Sequence, residues 1–138
     1  MHGLPGKLNV EELAELFSGR TRFVERLAGE ADPLGRARDV AHALSEDEKA
    51  EALAAHPRIG ERSPEQHGDD PAVLAELAEL NREYEERFGF RFVVFVNGRS
   101  RAEIVPELRV RLRNTREQEL DTGLDALASI AEDRWRKS

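Results

Sequence analysis

Apolar residues recur at intervals of three and four positions along most of the chain, which is the spacing of one face of an α-helix. Capping pairs, in which a polar N-cap residue is followed by glutamate or glutamine at the third helical position, predict where helices begin. These pairs are Asn9 with Glu12, Ser45 with Glu48, Ser100 with Glu103, and Thr115 with Gln118. Asp32-Pro33 and Asp70-Pro71 predict further starts, because aspartate suits the N-cap and proline suits the first turn.

Glycine and proline predict where several of these helices end. Gly19 and Gly89 each follow the last apolar residue of a stripe, as a C-terminal glycine does. Pro57 disfavours helical geometry at the preceding residue, so we expect His56 in the last turn of the helix that begins at Ser45. A short helix is predicted through Phe23 and Leu27, between the first and third helices.

Residues 90–96 read Phe-Arg-Phe-Val-Val-Phe-Val and carry a strand-like signal. One such run cannot form a sheet, so its backbone groups need other hydrogen-bond partners. We therefore predict an extended, buried segment that threads a helical core. The expected fold is all-α, a single-domain helical bundle-like fold over residues 1–138, with no internal repeat and no dividing linker.

Composition narrows the possible functions. The chain has 138 residues, no cysteine and a formal charge of −7. The absence of cysteine excludes disulfides and thiolate chemistry and fits a reducing compartment. There is no apolar run long enough to span a membrane, so we expect a soluble cytoplasmic protein without a membrane partner. The acidic charge argues against nucleic acid as the main partner.

The stretch from His56 to Gln66 contains the chain's densest candidate chemistry, because His56-Pro57 is followed closely by Ser63-Pro64-Glu65-Gln66. A histidine at a helix C-terminus feels the negative end of the helix dipole, which favours its protonated form and keeps its titration near neutral pH. This would suit a proton-transfer group. The alternative is that His56 only caps carbonyl groups while Glu65 and Gln66 are solvated.

Arg134 is a second unusual position. The apolar face of the last helix contains Leu120, Leu124, Leu127 and Ala131, and the next residue at that spacing is Arg134. The arginine could extend past the apolar surface to solvent from the helix end. It could equally offer a planar pair of donors to a carboxylate or imide oxygen.

Two other functional classes fit parts of the sequence. A metal-dependent hydrolase could use nitrogen and oxygen ligands from His42, His56, His67, Asp69 and Asp70. These residues lack the HExxH helical spacing, and Asp70 is better used as an N-cap, so we expect no metal site. A non-catalytic helical interaction module would explain the amphipathic helices, but it would leave the positions of His56 and Arg134 unexplained.

Several sequence strings together resemble a known family. HPRIG, EQHG, LNREYEERFGFRFVVFVNG, and RLRN followed by a helix that ends in Asp133-Arg134-Trp135 occur in this order. They resemble the 2-oxo-4-hydroxy-4-carboxy-5-ureidoimidazoline (OHCU) decarboxylases of urate degradation. The resemblance covers roughly residues 8–136. It implies a cofactor-independent enzyme that acts on a small molecule, forms (S)-allantoin and assembles as a homodimer.

The resemblance also implies roles for individual residues. His56 matches the catalytic histidine of the family's HP motif, and Glu65 matches its catalytic glutamate. Which of the two is the acid and which the base is left open. The implied substrate contacts are Pro57, Ser63, Gln66, backbone groups near Val93 and Val94, and Arg134. Ser63 lies one position closer to the glutamate than the family's serine, and the loop after His56 is shorter than in most relatives.

Overall fold

The computed structural model describes residues 5–57 and 70–137, which form an all-helical structure without a strand in those ranges. The helices are α1 (Val10–Leu16), α2 (Arg22–Leu27), α3 (Pro33–His42), α4 (Glu46–Ala54), α5 (Pro71–Phe88), α6 (Arg101–Arg111) and α7 (Arg116–Lys137). The prediction of an all-α fold is confirmed. None of the helices in these ranges is both long and apolar enough to cross a membrane.

The predicted capping pairs form at the starts of four helices. In α1, α4 and α6 the N-cap side chain accepts from the backbone N–H of the third helical residue, and the glutamate at that position accepts from the N-cap backbone. Thr115 and Gln118 make the same reciprocal pair before α7, at 2.9 and 3.1 Å. Each N-cap bond is typically worth about 1 kcal/mol, so these helix starts are encoded locally.

The start of α3 differs from the prediction. Asp32 adopts a left-handed conformation with φ of 53° and makes no side-chain capping hydrogen bond. Its carboxylate lies over Gly35, where a Cβ would meet Asp32 Oδ2 at 2.2 Å. Pro33 still occupies the first helical turn, so proline rather than an aspartate cap marks this helix start.

The end of α1 also differs from the prediction. Ser18, not Gly19, takes the left-handed conformation, with φ of 67°. Gly19 is needed for a different reason: a Cβ at this position would lie 3.1 Å from the Cβ of Ala55. The glycine therefore permits close approach of the chain after α1 to the end of α4.

The end of α4 comes earlier than predicted. α4 ends at Ala54, whose side chain is exposed, and Ala52 and Leu53 are the buried residues of this helix. His56 therefore lies just beyond the helix, with its N–H donating to the carbonyl of Leu53 at 3.2 Å. α6 ends at Arg111 and continues without a break through Pro106.

α7 is central to the packing, since it contacts α1, α3 and α4. Its predicted apolar face is confirmed, with Leu120, Leu124, Leu127 and Ala131 buried. Gly123 lies against α4, where a Cβ would meet Leu53 Cδ2 at 2.9 Å. α5 and α6 pack against each other, and Asn81 is buried on α5.

Residues 90–96 form the predicted extended segment, in which Phe90, Phe92, Val93 and Val94 are buried. Arginine side chains take the place of a neighbouring strand for its carbonyl groups. Arg111 Nη1 donates to Val93 O at 2.7 Å. Arg99 donates from Nη2 to Phe95 O at 2.7 Å and from Nε to Val96 O at 3.0 Å. These bonds help to satisfy the backbone acceptors of a segment that has no neighbouring strand in the described ranges; Val96 O also accepts from the N–H of Arg99 at 3.1 Å.

A buried ion pair joins this segment to α6 and α7. Arg111 Nε lies 2.7 Å from Glu119 Oε1, and their side chains are only 6% and 0% exposed. Tyr84 Oη and Asn114 Nδ2 also donate to this carboxylate, at 2.6 and 2.8 Å. The guanidinium lies over the ring of Phe92, with 4.5 Å to the centroid. Burial and the bond to Glu119 raise the pKa of Tyr84, which therefore stays protonated.

Candidate active site

A cavity of about 210 Å³ lies where the end of α4, the extended segment and the C-terminal part of α7 meet. His56, which follows the last turn of α4, lines the cavity. The extended segment and the turn after it contribute Val94, Phe95, Val96 and Asn97, and α7 contributes Ile130, Asp133 and Arg134. The cavity therefore brings together His56 and Arg134, the two residues that sequence analysis identified on separate grounds.

The backbone of His56 is held from the extended segment. Arg91 Nη1 donates to the carbonyl oxygens of Ala54 and His56, at 2.8 and 2.7 Å. The imidazole is less constrained, because its buried Nδ1 has no hydrogen-bond partner among residues 5–57 and 70–137. Because His56 lines the cavity, its ring is placed for a hydrogen bond or proton transfer with a bound molecule.

The electrostatics of His56 contradict the expectation of a near-neutral titration. Burial, together with the positive charges of Arg134 and Arg91, lowers the pKa of His56 from its ordinary value of 6.5 to about 4. Desolvation and two nearby cations thus outweigh the helix dipole. The prediction from helix position was wrong, because it could not include charges contributed by distant parts of the chain.

We expect one of the four histidine rings to titrate near pH 4, and this signal to be lost in His56→Ala. The measurement is a histidine NMR titration. Because the pKa in the folded protein is lower than the ordinary 6.5, folding favours the neutral ring. Protonation of the buried ring should therefore lower the stability of the fold as the pH falls from 6.5 through about 4. A His56 midpoint near 6.5 would contradict this assignment.

Arg134 is half-buried, and its guanidinium is anchored by hydrogen bonds to another part of the protein. Its Nη1 donates to Leu16 O and to Ser18 Oγ, both at 2.8 Å, so α7 is joined to the end of α1. Burial lowers the pKa of Arg134, but an arginine remains charged near neutral pH. The structure thus favours the second interpretation from sequence, a planar donor group at a site. Its role as a substrate contact stays a prediction.

The other sequence-predicted site residues lie in different surroundings. Val94 lines the cavity, whereas the carbonyl of Val93 is occupied by Arg111. Pro57 is exposed and is not among the residues that line the cavity. Ser63, Glu65 and Gln66 lie outside the described residues, so their roles stay predictions.

Several residues of the site were not predicted from the sequence. Ile130 could have been found, because it lies one helical turn before Arg134 on α7. Asn97 follows the extended segment and adopts a left-handed conformation with φ of 49°, which its Asn-Gly sequence permits. Asp133 and the backbone contacts of Arg91 have no local sequence signal, since they depend on how the segments pack.

The candidate metal ligands are dispersed or used elsewhere. Asp70 Oδ1 accepts from the N–H of Ala72 at 2.8 Å, which makes it the N-cap of α5. His42 lies between Asp121 and Asp125 on α7, at 3.1 and 3.0 Å. Within the part of the chain that the structure describes, no group of three or more histidine or carboxylate residues could hold a metal ion. His67 and Asp69 lie outside that part.

The family model of OHCU decarboxylase matches residues 8–136, which is nearly the whole sequence. The chain belongs to the OHCU decarboxylase family. The family resemblance predicted from sequence is thereby confirmed. The match includes both His56 and Arg134, which line the cavity.

Solved structures place this family member among proteins of the same fold. A crystal structure of OHCU decarboxylase in the presence of (S)-allantoin matches it with a TM-score of 0.78 and 28% identity, covering 91% of this chain and 96% of that one. A crystal structure of (S)-allantoin synthase matches with a TM-score of 0.73 over 93% of this chain and 48% of that one. At 22% identity, the second match shows the shared fold.

Two curated relatives are much longer than this family member. The uric acid degradation bifunctional protein of Bacillus sp. (strain TB-90) is 28% identical over 105 residues, which are 67% of this chain and 21% of the relative. The uric acid degradation bifunctional protein TTL of Arabidopsis thaliana is 33% identical over 104 residues, 63% of this chain and 32% of the relative. The chain thus spans between about a fifth and a third of these relatives.

Proposed function

We propose that this chain catalyses decarboxylation of 2-oxo-4-hydroxy-4-carboxy-5-ureidoimidazoline to (S)-allantoin in urate degradation. The observation that carries the proposal is the placement of His56 and Arg134 on one cavity in a chain of the OHCU decarboxylase family. Further support comes from the matching OHCU decarboxylase, whose crystal structure was determined in the presence of (S)-allantoin.

The substrate itself explains why this small set of groups is sufficient. It carries a hydroxyl and a carboxylate on one ring carbon, beside a carbon–nitrogen double bond that accepts the electrons released as carbon dioxide leaves. The protein must therefore supply a base for the hydroxyl proton, an acid that reprotonates the ring on one face, and groups that fix the ring's orientation. No external electron acceptor is required for this chemistry.

We assign the base to His56. Its lowered pKa keeps the imidazole neutral at neutral pH, so a ring nitrogen has a lone pair that can accept a proton. An anionic substrate in the cavity would offset the charges of Arg134 and Arg91, and this would raise the pKa of His56 when the base is needed. By resemblance, Glu65 is the second proton-transfer group and Gln66 and Ser63 are substrate contacts.

The positive charge beside the cavity supports an anionic substrate. Arg134 lines the cavity, and both Arg134 and Arg91 act on the His56 imidazole through their charges. Asp133, the acidic residue among the described residues of the cavity wall, is paired with Lys137 at 2.9 Å. A substrate carboxylate would therefore meet an arginine whose charge is not already neutralised by this aspartate.

The test is circular dichroism of the product formed from freshly generated substrate. The substrate decays spontaneously without a facial preference, whereas an enzyme that binds the ring in one orientation delivers the proton to one face. We expect optically active (S)-allantoin, formed faster than the spontaneous decay. Racemic product at the spontaneous rate would contradict the proposed function.

We expect activity to survive exhaustive chelation, because the substrate carries its own electron acceptor and no metal-dependent step is needed. The measurement is the initial rate before and after dialysis against a chelator, with elemental analysis of the same sample. Loss of activity that one divalent ion restores would instead support the alternative hydrolase hypothesis, in which His56, His67 and Asp69 bind a metal.

The broader context of the enzyme is also part of the proposal. We propose that the chain acts as a single OHCU decarboxylase-like domain over residues 1–138, in the cytoplasm and as a homodimer. The homodimer rests on the family resemblance, and the cytoplasmic location on the cysteine-free composition. Sedimentation equilibrium would test the oligomeric state directly.

A further inference from the structure

Ser18 has an unusual backbone conformation next to the proposed site. Its φ of 67° lies in the left-handed region, which a serine adopts at an energetic cost. The residue follows α1, and its hydroxyl accepts from Arg134 Nη1 at 2.8 Å. Unfavourable backbone conformations persist where the surrounding structure uses them, so the contact with Arg134 calls for an explanation.

The two hydrogen bonds that Arg134 donates use one end of its guanidinium. Nη1 carries two N–H donors, and these serve Leu16 O and Ser18 Oγ at 2.8 Å each. The remaining donors belong to Nε and Nη2, which together form the side edge that binds a carboxylate through two parallel hydrogen bonds. That edge has no hydrogen-bond partner among residues 5–57 and 70–137.

The partners of Arg134 also leave its charge available. Among residues 5–57 and 70–137, its partners are a backbone carbonyl and a hydroxyl, which hold the guanidinium in place without neutralising it. Two other arginines of this protein show the contrast, since Arg111 pairs with Glu119 and Arg38 with Glu132. A partly buried cation held by neutral acceptors is suited to pair with a negatively charged ligand, because neither group then remains unpaired.

We propose that Ser18 is a positioning residue for Arg134. With the carbonyl of Leu16, it holds the guanidinium by Nη1, so that the Nε and Nη2 edge and the positive charge are directed to the anionic group of the substrate. The inference rests on the proposed function, which it extends by assigning a role to the end of α1.

The kinetic test compares two serines that make similar contacts. Ser18→Ala removes the hydroxyl that Arg134 uses, and Ser18→Gly also removes the backbone cost of the left-handed conformation. Ser129→Ala is the matched control, because Ser129 Oγ accepts from Arg38 Nη2 at 2.9 Å and does not line the cavity. KM, kcat and the melting temperature are measured for all three variants with freshly generated substrate.

We expect both Ser18 variants to raise KM by about 3- to 10-fold with kcat within about twofold of wild type, because one hydrogen bond to a charged group is lost. Ser129→Ala should leave both constants unchanged. In an Arg134→Gln background, Ser18→Ala should cause no further rise in KM, since the two residues act as a unit. Wild-type KM in both Ser18 variants, or an additive effect in that background, would overturn the inference.

A second readout does not depend on turnover. In NMR spectra, the Nη1 protons of Arg134 should rotate slowly in wild type and Ser129→Ala and rapidly in Ser18→Ala and Ser18→Gly. Unchanged rotation in both Ser18 variants would overturn the positioning role, even in a protein without decarboxylase activity. Lack of activity in wild type, by contrast, would contradict the proposed function alone.

Discussion

Replacing His56 with alanine should lower turnover by about 10²- to 10⁴-fold, the usual contribution of one positioned proton-transfer group. The expected loss is in kcat, because the imidazole is assigned to the chemical step. Stability at neutral pH should change little, since the variant removes a ring whose buried Nδ1 has no partner among the described residues. Stopped-flow kinetics and thermal unfolding measure the two effects separately.

His42→Ala is the matched control for this substitution. His42 lies outside the cavity, between Asp121 and Asp125 on the surface of α7, so its removal should leave turnover unchanged. Glu65→Gln should lower turnover by a similar factor to His56→Ala if the family resemblance holds for this residue. Turnover near that of wild type in His56→Ala would exclude His56 as the base.

Glu119→Ala should lower the free energy of unfolding by about 3–5 kcal/mol, which is the usual effect of removing one partner from a buried ion pair. The substitution leaves the buried Arg111 unpaired and also removes the acceptor of Tyr84 Oη and Asn114 Nδ2. Urea unfolding monitored by far-UV circular dichroism gives the difference in free energy.

Two further variants show whether the loss of unfolding free energy comes from leaving a buried charge unpaired. Glu79→Ala removes an exposed partner of Arg82 on α5 and should change stability by less than about 1 kcal/mol. A double variant, Arg111→Met with Glu119→Leu, removes both buried charges and should recover much of the lost stability. If Glu119→Ala were as stable as wild type, the buried pair would not contribute to holding the segment.

The ion pair also connects stability to the proposed site. Arg111 holds Glu119 through Nε and Val93 O through Nη1, so one guanidinium joins α7 to the extended segment. Val94, the next residue, lines the cavity. We therefore expect a Glu119 variant to show altered substrate binding as well as lower stability.

The sequence alone determined the features that depend on neighbouring residues. Capping pairs and proline positions placed the helix starts, and the spacing of apolar residues identified the buried face of α7, because both signals act within a few residues. The strand-like run without a second strand was enough to predict an extended segment in a helical core. The helix end before Pro57 and the spacing of the apolar face of α7 identified His56 and Arg134 as candidates, and the family motifs implied roles for both.

The tertiary structure decided everything that depends on residues far apart in the chain. The lowered pKa of His56 comes from burial and from Arg91 and Arg134, which reach it from other elements. The buried position of Glu119 could not be predicted, because a carboxylate is ordinarily exposed unless distant groups satisfy it. The contact between Ser18 and Arg134 spans 116 positions, so only folding brings this serine to the site.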